Sequence, residues 1–150
     1  MSAALQRRAA EAWVAHRHPA RNALPPFAPP PARERIRVAY VSPDFREHPV
    51  AHLIVDVLER HDRAKFETIA VSLGAGRDDP MRRRIAAAVD RFVDAREMSD
   101  LDVAQLARRL DVDIAVDLAG FTTGGRPGIF ALPIDQLGGS IEEACNFITR

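Results

Sequence analysis

The sequence predicts an α/β fold with a Rossmann-like, mostly parallel sheet and flanking helices. Three observations carry that prediction. Ile36–Ser42 is an almost continuous apolar run, and Asp113–Leu118 is rich in aliphatics; such runs suit strands buried on both faces of a parallel sheet. Pro49–Arg60 carries apolar residues at helical spacing (Val50, Leu53, Ile54, Val57, Leu58). Strand-like and helix-like segments alternate through the chain, which implies right-handed crossovers between parallel strands.

The elements follow in order. Ser2–Arg17 reads as a helix capped by Ser2, with Leu5, Ala9, Ala12 and Trp13 on one face. Pro25, Pro26, Pro29, Pro30 and Pro31 make residues 19–34 a linker of extended polyproline character. The packed domain then runs over residues 35–131. Its first strand is Ile36–Ser42, and its first helix opens on Pro49, a residue suited to the first helical position. Glu67–Leu73 is a second strand and Gly74–Pro80 a loop. Met81–Asp90 is a helix with Met81, Ile85, Ala88 and Val89 inward. Arg91–Val93 is a short third strand. Ser99 and Asp102 form a capping box that opens a helix with Val103, Leu106, Ala107 and Leu110 on its buried face. Asp113–Leu118 is the fourth strand, followed by a glycine-rich loop over Gly120–Gly125 and a short helix. Residues 132–150 form a divergent tail.

Composition narrows the function classes. The 150 residues are 47% hydrophobic and 28% charged, as a soluble globular domain is. No run approaches the roughly 18 apolar residues that span a bilayer, and Met1–Ala20 lacks the apolar segment of a secretory signal. Basic and acidic side chains balance at 21 each, against the basic excess usual in nucleic-acid binders. Cys145 is the single cysteine, which excludes an internal disulfide and a cysteine-based zinc site. A reducing cytoplasm is the simplest compartment.

Ligands on parallel sheets sit beyond the carboxyl ends of the strands, so two loops matter most. Asp44, Arg46, Glu47 and His48 crowd the turn between the first strand and its helix. The helix N-terminus there attracts phosphate and favours a neutral imidazole, which is able to take a proton or a hydrogen bond. Asp44 and His48 acting only as helix caps accounts for the same residues. His48 and His52 lie four apart, but no third metal ligand is indicated. Asp117, Thr122 and Arg126 surround the second loop, as phosphate or backbone binders or as ordinary turn formers. Gly74–Arg77 lacks the further residues of a phosphate loop, and Arg82–Arg84 has the pattern of a solvated helix face.

Two segments together resemble a known family. Arg37–Arg46, continued by His48–His52, is similar to the opening of the catalytic region of the O-linked N-acetylglucosamine transferase / SPINDLY family. Asp113–Thr122 resembles a later segment of it, with Arg126, Phe130 and Ala131 continuing the likeness. The resemblance implies the first lobe of a two-lobed GT-B glycosyltransferase. Enzymes of that family move N-acetylglucosamine, or fucose in some members, from a nucleotide diphosphate to Ser or Thr of proteins, with inversion and without a metal or other cofactor. The implied donor is UDP-GlcNAc and the implied partner a protein acceptor, commonly presented by upstream tetratricopeptide repeats. His48 matches the active-site histidine, with Asp44, Pro49, Asp117, Thr122 and Arg126 expected on the same cleft. Phe121 departs from the family's usual His or Tyr. The likeness fades after Ala131, and the second lobe, which holds most of the nucleotide site, does not follow. The expectation is therefore a truncated transferase that is inactive alone. The alternatives are a non-catalytic protein-binding remnant and a self-contained flavodoxin-like binder of nucleotide or phosphate.

Overall fold

The computed structural model describes residues 2–17, 33–75 and 78–131. Residues 19–32 of the expected linker and the tail at 132–150 lie outside these. The chain divides into two compact units. One contains helix α1 (Ala3–Arg17), with Ser2 Oγ accepting from the Leu5 N–H, and the short helix α5 (Gly128–Ala131). No residue of α1 is buried, so its apolar face of Leu5 and Trp13 stays largely in solvent.

The second unit, residues 30–126, holds the sheet. Its elements are β1 (Ile36–Ser42), α2 (Pro49–Glu59), β2 (Phe66–Ser72), α3 (Pro80–Ala88), β3 (Arg91–Asp94), α4 (Asp100–Arg109) and β4 (Ile114–Asp117). All strand pairs are parallel and the order is β3-β2-β1-β4. The order reverses between β1 and β4, so the crevice of a doubly wound sheet lies at their carboxyl ends.

Side chains alternate across β1 and β2. Val38, Tyr40 and Ala70 join one core with Val55 and Leu58 of α2 and Ile85 of α3. Ala39, Val41, Ile69 and Val71 are buried on the opposite face. Both faces are thus covered, which is why β1 reads as an uninterrupted apolar run. The inward face of α3 is as expected: Met81, Ile85, Ala88 and Val89 are all buried. The capping box of α4 is formed, with Ser99 and Asp102 exchanging side-chain to backbone bonds.

Two helix faces differ from expectation. Of the expected α2 stripe Leu58 is buried and Ile54 packs against the core, whereas Leu53 and Val57 are exposed and Ala51 and Val55 are buried instead. The spacing i, i+4, i+7 of Ala51, Val55 and Leu58 is still helical. In α4 Val103 and Ala104 are buried, while Leu106, Ala107 and Leu110 are only half-buried.

Opposite the site, at the amino ends of the strands, Glu67 is buried among arginines. Its carboxylate lies 3.0 Å from Arg37 and 3.1 Å from Arg91. Arg37 is the register partner of Glu67 on β1, so the ion pairs tie adjacent strands together. Burying this carboxylate without such partners would cost far more than the pairs return.

Gly74 lies where backbones nearly touch. A Cβ there would collide with the carbonyl oxygen of Pro43, so the loop after β2 packs directly on the loop after β1. Gly74→Ala is expected to lower stability by roughly 1–3 kcal/mol, the usual cost of overpacking. Urea unfolding checks this, and an unchanged midpoint would show that the two loops separate easily.

Candidate functional site

Three loops converge at the carboxyl edge of the sheet, with Pro43 between them. Gly74 abuts its carbonyl on one side. On the other, Gly124 has φ +85, and a Cβ there would stand 3.3 Å from Pro43 Cβ and Cγ. The loops after β1 and β4 therefore meet across the switch point, with the loop after β2 supporting them.

The β1 loop is anchored along its length. The Ser42 hydroxyl accepts from the Asp44 N–H at 3.0 Å. Phe45 is 0% exposed and packs in the core, its ring 6.3 Å from that of Phe92. Asp79, the N-cap of α3, accepts from the Glu47 N–H at 3.2 Å and from the Arg82 N–H at 2.8 Å. The Arg82 N–H first, and the Glu47 N–H with it, hold the Asp79 carboxyl below the usual aspartate range.

His48 ends this loop as the N-cap of α2, with extended backbone at φ −158 and ψ 147. Its Nδ1 accepts from the Val50 N–H at 3.3 Å. Pro49 follows at the first helical position. The Asp44 carboxylate lies 3.6 Å from Nδ1, beyond a good hydrogen bond, and takes Arg46 at 3.0 Å instead. With Nδ1 accepting, the ring's remaining nitrogen, Nε2, is the one able to donate. Among the described residues Nε2 has no hydrogen-bond partner. The ring is 31% exposed, and its Nε2–H is a donor for an oxygen.

The second loop is internally satisfied. One oxygen of Asp117 accepts from the Ala119 and Gly120 N–H groups, both at 2.9 Å. The Thr122 hydroxyl donates to the Ala119 carbonyl at 2.6 Å. Arg126 donates to Asp100 at 2.7 Å and to the Met98 carbonyl at 2.7 Å. Asp117 and Thr122 shape the turn, and Arg126 fastens it to the start of α4. Of the residues expected at the cleft, Asp44, His48 and Pro49 stand together on the first loop. Asp117, Thr122 and Arg126 stand at the second loop, where one Asp117 oxygen, the Thr122 hydroxyl and the Arg126 guanidinium make local hydrogen bonds.

Arg82 was not anticipated from the sequence. Arg83 and Arg84 lie on the solvated face, paired with Asp78 and with Asp56 and Glu59. The Arg82 side chain is only 14% exposed and turns inward. Its spacing of three from inward Ile85 was the available signal.

Among the described residues no group of three or more His, Cys, Asp or Glu side chains could hold a metal ion. His52 instead contacts Glu47 at 2.6 Å. No helix of the described residues is long and apolar enough to cross a membrane.

Residues 14–137 match glycosyl transferase family 41. The probable UDP-N-acetylglucosamine--peptide N-acetylglucosaminyltransferase SEC of Arabidopsis thaliana is 34% identical over 120 residues, which cover 75% of this chain and 12% of that protein. The UDP-N-acetylglucosamine--peptide N-acetylglucosaminyltransferase of Caenorhabditis elegans is 30% identical over 100 residues, covering 66% of this chain and 9% of that protein. A solved structure of a mutant O-GlcNAc transferase from Thermobaculum terrenum superposes with a TM-score of 0.69 at 35% identity, over 81% of this chain and 24% of that one. The chain thus spans about an eighth or less of the length of these two curated relatives.

Proposed function

Since the chain belongs to glycosyl transferase family 41, we propose that it supplies one lobe of an enzyme that transfers N-acetylglucosamine from UDP-GlcNAc to a protein Ser or Thr hydroxyl. In this reading the acceptor oxygen bonds to the anomeric carbon as the carbon–oxygen bond to the diphosphate breaks. UDP leaves with the electron pair, the hydroxyl proton passes to an oxygen of the departing diphosphate, and inversion follows from attack on the opposite side. No metal is assigned to the step. Cytoplasmic work, and presentation of the acceptor by repeats upstream, belong to the same reading.

The observation that supports it most is the position of His48. It stands on the loop after β1, beside the switch point where doubly wound sheets bind ligands. With its proton on Nε2, the ring donates to an oxygen of the sugar or of the departing diphosphate. Such donors act where negative charge develops. Taking the acceptor's proton instead would require moving the ring proton to Nδ1, toward Asp44, and breaking the Val50 cap. The geometry therefore favours a sugar- or phosphate-contacting histidine over an acceptor-activating one.

Calorimetric titration of the 150-residue chain tests the lobe assignment. The expected result is no stoichiometric binding of UDP alone, because the uridine site is assigned to the other lobe. Tight UDP binding that His48→Ala leaves intact would instead identify a self-contained nucleotide binder.

A further inference from the structure

We infer that Arg82 is a positioning residue for His48, acting by holding the loop between β1 and α2. The inference rests on the reading of His48 as the working side chain of the site. Its geometry, however, is independent of which reaction that side chain serves.

Arg82 sits in the first turn of α3, where the helix dipole disfavours a cation. Its placement there has to be offset by other contacts, and four are present. Nη1 donates to the Ser72 hydroxyl at 2.8 Å and, over a longer 3.4 Å, to the Phe45 carbonyl. Nη2 donates to the Asp94 carboxylate at 3.0 Å. The guanidinium carbon lies 4.6 Å from the centre of the Phe92 ring, within cation–π range. Ser72 and Asp94 are the last residues of β2 and β3. One planar group thus joins the carboxyl ends of two strands to the backbone of the His48 loop.

The same turn of α3 holds the loop a second time. Asp79, which caps that turn through the Arg82 N–H, also accepts the Glu47 N–H. The loop is therefore held at Phe45 and at Glu47, the residue before His48. Beyond Glu47 the next fixed point is the His48 cap itself, Nδ1 to the Val50 N–H. If the loop slackens at Phe45, that bond and the direction of Nε2 go with it. Displacements of about 1 Å at a catalytic group are enough to matter. A lysine reaches one of these partners but cannot fork between Ser72 and Asp94.

The test uses the 150-residue chain, with amide hydrogen exchange and the ring signals of His48 followed by NMR. Arg82→Gln is compared with Arg82→Lys, and with Arg83→Gln, a change on the solvated face of the same helix. Expected for Arg82→Gln is Val50 amide exchange faster by roughly tenfold or more, the size set by losing hydrogen bonds to a charged group. A shifted His48 ring signal should accompany it, with Leu58 and Ile69 exchanging as before. Arg82→Lys should give a smaller change in the same groups, and Arg83→Gln none. Unchanged Val50 and His48 signals in a folded Arg82→Gln protein would overturn the inference. So would a uniform acceleration across the sheet, which would make Arg82 a general support of the fold. If Arg82→Gln does not fold, Arg82→Lys decides by the same signals; failure of both to fold also counts against a positioning role. Loss of UDP-GlcNAc chemistry as a reading would leave these signals untouched, so the two claims fail separately.

Discussion

Phe45→Ala is expected to destabilise the sheet-bearing unit by about 3–5 kcal/mol, the range for truncating a large aromatic in a core. The ring is fully buried and belongs to the cluster that α2 and α3 build on the sheet. Its neighbours Val55, Leu58 and Ile85 are themselves at most 1% exposed, so little is free to collapse into the space. Domains of this size have only about 5–15 kcal/mol in total. At about 4 °C or more per kcal/mol, the unfolding midpoint should fall by about 12 °C or more. Thermal unfolding followed by circular dichroism measures it. A fall of less than about 4 °C would mean that Phe45 is not the core anchor described. The consequence for function is direct, because Phe45 lies three residues before His48 in the same loop. In most loops the chain is held by polar contacts at the surface. Here the segment that carries the candidate histidine is nailed into the hydrophobic core.

The parallel sheet was legible because burial on both faces forces β1 and β2 to be apolar throughout. The inward face of α3 was legible for a related reason: its few apolar residues define a single stripe. In α2 apolar residues fill most of the surface, and two overlapping stripes compete. Only packing decided for Ala51 and Val55, beside the expected Leu58, over Leu53 and Val57. The candidate turn at Asp44–His48 was readable from its position between strand and helix. Its support was not. Arg82 stands in a run with Arg83 and Arg84, and its spacing of three from Ile85 is too weak a signal to separate it from them, since Arg84 is likewise three from Met81 and four from Ala88. Glu67 is likewise an ordinary strand residue until the register sets it between Arg37 and Arg91. Contacts between residues distant in sequence made both. Asp117, Thr122 and Arg126 were marked together from the sequence, but whether they face a ligand or close their own turn depends on hydrogen-bond directions that a sequence does not carry.

His48→Ala is expected to have the largest effect on activity. Nδ1 accepts from the Val50 N–H, which leaves Nε2 as the ring's donor in the proposed role. Removing a donor of this kind from a site of developing negative charge costs about 10²–10³-fold in kcat. A glutamine at the position retains an N–H donor but is no base. His48→Gln should therefore recover part of the loss if the histidine donates, and none if it accepts the hydroxyl proton.

The measurement that bears most directly on the central claim is peptide glycosylation by a chimaera. Residues 35–126 of this chain would replace the matching segment of the Thermobaculum terrenum transferase, to which the chain is 35% identical. The rest of that transferase, of which the chain covers 24%, is retained in the chimaera. The expected result is transfer of N-acetylglucosamine from UDP-GlcNAc to the peptide, lowered about 100-fold or more by His48→Ala with a smaller change in KM. An active chimaera whose kcat is indifferent to His48→Ala would contradict it.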